Sequence, residues 1–254
     1  MTIVGPGGMG KTRLALASAE RQLDSNLFPN GIYFVKLAPL REVGHVIPTL
    51  AEALDFLLDT GEQQSRSPKQ QILDYLRQKQ MLLLLDNFEH LLAPPSVPPK
   101  GGEVHGADLV ADILQTAPGV QILATSRERL QLHEEQVYRI RGLEFLDSEA
   151  IETAADSDAA RLFLQSARQV RPNFEWQATD LPGLSRLCHL LEGLPLGLKL
   201  AAAWVDILSL ADIAAEIQRS LDFLESEKRN IPKRHRSMRA VFDTSWQRLS
   251  ETER

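Results

Sequence analysis

Gly5-Pro6-Gly7-Gly8-Met9-Gly10-Lys11-Thr12 stands between the short apolar run Thr2-Ile3-Val4 and the helix-forming stretch "TRLALASAE". Two glycines separated by four residues and followed by Lys-Thr form a phosphate-loop pattern. The glycines allow backbone conformations that other residues avoid, so successive N–H groups can turn inward and surround an oxyanion. A strand before the loop and a helix after it bring the positive end of the helix to the same place. The string therefore demands a strand–loop–helix unit, and such units build parallel sheets.

The rest of the first half meets that demand. The runs "TIV", "GIYFVKL", "MLLLLD", "QILATS" and "QVYRI" are expected strands, with helical patterns between them. Met81 to Leu85 is apolar at every position, as a strand covered on both faces should be. "LRQKQ" before it is polar and reads as the tail of a surface helix. The insertion from about Ala93 to Gly106 is rich in proline and glycine and reads as a loop, either an inert surface excursion or a partner contact.

After about Asp147 no strand pattern continues. "SDAARLFLQSARQV" places Ala159, Leu162, Phe163, Ala167 and Val170 on one helical face. Asp180 is an expected N-cap, Pro182 lies just inside that helix, and Gly193 just past its end. "LGLKLAAAWVDIL" reads as a helix apolar almost all round. Ser209 and Asp212 form a capping pattern for the helix that follows. The expected organisation is an α/β nucleotide-binding domain over 1–147, with a parallel sheet flanked by helices. A small all-helical domain over 148–230 follows, and 231–254 hold a basic linker and one amphipathic helix showing Val241, Phe242, Trp246 and Leu249. "SETER" at the end looks like the cap of a further helix, which suggests a piece of something longer.

Composition narrows the function classes. Of 254 residues 43% are hydrophobic and 24% charged, with net charge −6, so the whole chain lacks a basic nucleic-acid footprint. The longest apolar stretch is interrupted by Lys199 and Asp206, so a buried helix explains it better than a membrane span. The single cysteine, Cys188, fits a reducing cytoplasm and, among leucines, a packing role.

The site residues follow from the loop. Gly5, Gly7, Gly8, Met9 and Gly10 are expected to wrap the phosphates, with Lys11 reaching the β- and γ-phosphates and Arg13 adjoining. Thr12 would ligate Mg²⁺ through its hydroxyl. Asp86, closing a buried strand, would hold the same ion through water. Glu89 is the nearest further carboxylate and reads either as the base that polarises water or as a solvated surface residue. His90 reads as a surface histidine at a helix start. In "ILATSRERL", Thr125, Ser126 and Arg127 end a strand at the carboxyl edge of the sheet, where open α/β folds bind ligands. Arg127 is suited to sensing a γ-phosphate through charge-assisted bonds, and Arg129 to either that or solvent.

"GPGGMGKTRLA", "LLLLDNFEH", "ILATSRERL", "LEGLPLGLKLAA" and "RHRSMRAVFDTSWQRL" come in this order. Together they resemble the NB-ARC-type signalling ATPases of the STAND class, as found in bacterial multidomain regulators. The resemblance implies a P-loop NTPase sheet of the AAA-like kind with the phosphate-loop strand in its interior. It also implies a helical domain carrying GLPL, whose Pro195 would pack near adenine and ribose. It further implies ADP held in a resting state and exchanged for ATP, with Mg²⁺, slow hydrolysis and nucleotide-dependent oligomerisation. The amphipathic helix within 231–254 would be the first of a truncated winged-helix domain, and the rest of that domain with sensor-repeat and effector domains would complete a longer parent. The family's adenine-contacting segment upstream of the loop and its ADP-sensing histidine have no counterpart here, and Asn87 stands where many relatives carry a second acid.

Two other functions fit parts of the sequence. One is an actively hydrolysing AAA+-like remodelling ATPase, which needs a clear base and an arginine from a neighbour. The other is a nucleic-acid-binding module built on Lys228, Arg229, Lys233, Arg234, Arg236 and Arg239. That run has no interleaved aromatics, and Glu225 and Glu227 beside it favour a solvated linker.

Overall fold

The computed structural model describes residues 1–40, 42–59, 61, 66–92, 106–145, 156–175, 177–225 and 237–239. The proline-rich insertion, most of the basic run and the amphipathic helix expected at the end lie outside these. By contacts the chain forms two units, one of residues 1–5 and 11–140, the other of residues 6–10 and 141–254.

The first unit is a five-stranded sheet. Its strands are β1 (Thr2–Val4), β2 (Ile32–Lys36), β3 (Met81–Asp86), β4 (Val120–Ser126) and β5 (Val137–Arg139). They lie in the order β2-β3-β4-β1-β5, and every pairing is parallel. β1 is interior, between β4 and β5, as the resemblance implies.

The fully apolar β3 owes its character to having both faces covered. Met81, Leu83 and Leu85 join one core, and Leu82 and Leu84 the other. The larger core is closed by α2 (Val46–Ala53), α3 (Pro68–Leu76) and α4 (Gly106–Thr116), through Val46, Leu50, Ile72, Leu76, Leu109 and Ile113. The opposite face is covered by α1 (Lys11–Glu20), which packs Ala15 and Ala19 against Ile3, Leu82 and Leu84. Alanines there let the helix carrying Lys11 and Thr12 approach the sheet closely.

α3 begins as its sequence dictates. Ser67 accepts from the Gln70 N–H at 3.3 Å and Pro68 takes the first turn, where its missing N–H costs nothing. α2 is preceded by His45, which makes no side-chain cap bond, so no punctuation in the sequence announces it.

Among the described residues the second unit holds four α-helices: α5 (Asp158–Val170), α6 (Leu181–Leu190), α7 (Pro195–Ala202) and α8 (Leu210–Arg219). Their core includes Ala159, Phe163, Ala167, Leu184, Leu187, Cys188, Leu198 and Ile213. Leu162 and Val170 are half-buried at the edge of the expected stripe. Ser209 caps α8 by accepting from the Asp212 N–H at 3.2 Å.

Three details differ from expectation. The Asp180 side chain does not cap α6; it accepts from the Gln177 N–H at 3.0 Å and closes the preceding 3-10 turn. α7 stops at Ala202, sooner than the apolar run, which continues as turns to Ile207. α6 ends in a Schellman motif whose left-handed residues are Glu192 and Gly193, so the glycine sits one place beyond the usual position. The Glu192 N–H donates to His189 O at 3.1 Å and the Gly193 N–H to Cys188 O at 3.1 Å.

Among the described residues no helix is long and apolar enough to cross a membrane.

Candidate functional site

The carboxyl ends of β3 and β4 bring the chemistry together. Leu85 pairs with Ala124, so Asp86 and Thr125 emerge side by side where the strands stop. The Thr125 hydroxyl donates to Asp86 Oδ1 at 2.7 Å, and the Thr12 hydroxyl donates to the same oxygen at 2.6 Å. Thr125 Oγ1 in turn accepts from the Asn87 N–H at 2.9 Å. Asp86 and Thr125 are both buried, so these bonds satisfy polar groups with little access to water.

Asn87 adopts a left-handed conformation, φ +67°, which asparagine tolerates better than most residues. That residue turns the chain from β3 into a 3-10 turn over Phe88–Leu91. The turn buries Glu89, so this carboxylate is not the solvated surface residue that one expectation allowed. Arg127 Nε donates to Glu89 Oε1 at 3.2 Å, with side chains only 12% and 7% exposed. His90 is half-buried rather than a surface histidine, and its Nδ1 lies 3.3 Å from Asn87 Nδ2. Arg129 is exposed.

Lys11 heads α1 with its ammonium donating to the Gly5 carbonyl at 2.7 Å. Gly8 and Gly10 have φ +79° and +85°, the left-handed region in which glycine turns an N–H against the run of the chain. Gly5 has no room for a side chain, since a Cβ there would lie 2.5 Å from Ile140 Cγ2. Met9 is half-buried and Arg13 exposed. In the second unit, which includes residues 6–10, the Leu196 N–H donates to the Gly8 carbonyl at 3.2 Å. Pro195, immediately before it, occupies the first turn of α7.

The donor set fits a hydrated Mg²⁺. Among the described residues no three His, Cys, Asp or Glu side chains gather as a metal cage. What the first unit offers is the Thr12 hydroxyl and the Asp86 carboxylate, both hard oxygen donors already in contact. A magnesium ion that keeps most of its waters and takes the rest of its ligands from phosphates needs little more.

Sequence reasoning named Thr125 only as a polar group at a strand end. Its place as the link between Asn87 and Asp86 was missed. The signal available was register, because a threonine beside a strand-terminal aspartate on the neighbouring strand is within hydroxyl reach.

The family model for the AAA domain matches residues 1–131, half of the chain. The chain belongs to the AAA domain family. Over its whole length it is 33% identical to a Mycobacterium tuberculosis protein provisionally named an HTH-type transcriptional regulator. It is 28% identical, again over its whole length, to an uncharacterized protein of the same organism. The chain spans 25% of the first relative and 58% of the second. Among solved structures, the Aeropyrum pernix ORC2 protein, determined as ADPNP and ADP complexes, matches with a TM-score of 0.50 at 11% identity. That match covers 85% of this chain and 59% of that one, and the likeness is one of fold. This AAA-type P-loop domain is thus built on a five-stranded parallel sheet.

Proposed function

We propose that this AAA domain is an ATP/ADP-binding switch of the STAND type, working inside a longer signal-transducing or transcription-regulating protein and hydrolysing ATP slowly with Mg²⁺. The observation that carries the reading is the junction of Thr12, Asp86 and Thr125 through one carboxylate oxygen. It joins the end of the phosphate loop to the acid of β3 in the arrangement a nucleotide-bound magnesium ion needs.

In this reading Gly5, Gly7, Gly8, Met9 and Gly10 hold the phosphates through backbone N–H groups. Lys11 leaves the Gly5 carbonyl for the β- and γ-phosphates, and Arg13 adjoins them. Thr12 ligates Mg²⁺ directly and Asp86 holds one of its waters. When bound, the ion neutralises charge on the phosphate oxygens. Arg127 senses the γ-phosphate, Glu89 is the group nearest to the role of base, and Pro195 packs against adenine and ribose.

A switch suits these residues better than a motor. The second acid of many relatives is Asn87 here, and Glu89 is tied to Arg127 instead of standing ready beside Asp86. The provisional name of the mycobacterial relative supports a regulatory setting, with winged-helix, sensor and effector parts elsewhere in a longer protein. Nucleotide-dependent self-association and a cytoplasmic location complete the proposal. Membership of the AAA family also favours a second reading, a remodelling ATPase with sustained turnover. A steady-state rate above about 1 per second would favour that one.

The test is to purify the protein without added nucleotide, denature it and identify what is released. Stoichiometric ADP supports the resting switch. An empty protein whose melting temperature is unmoved by millimolar Mg-ATP or Mg-ADP would overturn it. Lys11→Ala should remove the bound nucleotide while leaving the far-ultraviolet circular dichroism unchanged.

A further inference from the structure

The buried pair of Arg127 and Glu89 carries more than packing. Its members stand just past the ends of neighbouring strands, Glu89 in the 3-10 turn after β3 and Arg127 directly after β4. The bond at 3.2 Å runs from Nε, and both side chains are almost wholly withdrawn from water. A buried ion pair is a poor stabilising device, because the desolvation of two charges roughly offsets their attraction. What it provides is a penalty for separating the partners, since either charge left alone inside the protein is costly.

An arginine in this position has one planar cation to offer. A γ-phosphate at the same sheet edge would be a second anionic acceptor with more charge than a carboxylate, and it too prefers a guanidinium. ADP brings no such group. We propose that Glu89 is a built-in competitor for Arg127. With ADP the carboxylate keeps the arginine; with ATP the third phosphate takes it, and the buried pair opens. Glu89 thereby sets the preference of the domain between the two nucleotides, a role distinct from any it has as a base. The idea rests on the proposal that nucleotide binds at the phosphate loop.

A competitor of this kind works through differential affinity, so weakening it must favour one nucleotide only. Dissociation constants for Mg-ADP and for the Mg complex of the β,γ-imido analogue of ATP should be measured by equilibrium titration. Glu89→Gln keeps the shape of the side chain and removes its charge. It should tighten the ATP analogue by roughly five- to tenfold, within the usual range of coupling between sites. ADP affinity should stay within about twofold on the same scale. The gain should vanish when Arg127→Gln is added, because the effect passes through the arginine.

If Glu89→Gln fails to fold, Glu89→Asp withdraws the carboxylate by one methylene and should act in the same direction, less strongly. Equal changes for both nucleotides, weaker binding of the analogue, or a gain that survives in the double variant would each overturn the competition while leaving the switch reading intact. If wild-type protein binds neither nucleotide, both proposals fall.

Discussion

At the scale of single residues, one oxygen organises the site. Asp86 Oδ1 accepts two hydroxyl donors, from Thr12 and Thr125, and Thr125 returns the favour to the backbone by accepting from Asn87. Thr125 is therefore a positioning residue, holding both the acid and the left-handed turn behind it. Thr125→Val keeps the shape and removes the hydroxyl. It takes the partner from the half-buried Asn87 N–H and one of two hydroxyl donors from the buried Asp86 carboxylate, and should lower unfolding free energy by about 1–3 kcal/mol, read by denaturant titration. Thr125→Ser should recover most of that loss. A valine variant as stable as wild type would mean that the relay through Thr125 contributes nothing net. Asp86→Asn should weaken the dependence of nucleotide affinity on Mg²⁺ more than affinity without the metal, checked by titrations with and without a chelator.

At the scale of elements, the ends of helices tell most. α6 stops on two successive left-handed residues, Glu192 at φ +49° and Gly193 at φ +65°. Gly193 could not be otherwise, since a Cβ there would meet the Leu143 carbonyl oxygen at 2.1 Å. Glu192 is a side chain in a place that favours glycine. Glu192→Gly should therefore raise stability by about 0.5–1 kcal/mol, the strain relieved less the added freedom of the unfolded chain. Gly193→Ala should cost about 2 kcal/mol or more, and thermal unfolding of the two variants checks both signs.

The same scale shows how far a sequence can be read. The five strands and the cap at Ser209 were legible because each follows from local pattern, and the interior position of β1 because the family resemblance implies it. α2 was not, because it lacks a cap and relies on Val46, Leu50 and Ala51 meeting the sheet. The burial of Glu89 was not either, since it depends on where the turn after Asn87 points. Nor was the hydrogen bond from Thr125 to Asp86, which is a matter of register between strands far apart in the chain.

At the scale of the whole molecule, the two units build their cores by different means, a parallel sheet with a core on each face in one and packed helices in the other. Cys188 lies within the helical core, where burial pushes its thiol from an ordinary 9.0 up to about 11. The folded thiol resists ionising while the unfolded one does not. The contribution of Cys188 to stability is thus complete below about pH 9, declines as pH rises from there, and is lost by about pH 11. A thiol reagent at pH 8 should label Cys188 slowly in native protein and at once in denaturant. Rapid native labelling would mean that the helical core opens far more often than its packing implies.

The strand order also has a history in time. β1 pairs with β4 on one side and β5 on the other, and Thr2 finds its partners at Ala124 and Val137. Loop closure over such a separation is slow compared with local folding. On the ribosome, residues 5–12 leave the exit tunnel more than a hundred residues before the strands that will hold β1 in place. The phosphate loop is made early and shaped late. On that order of events, a nucleotide bound at the loop would stabilise a sheet already formed rather than its first steps.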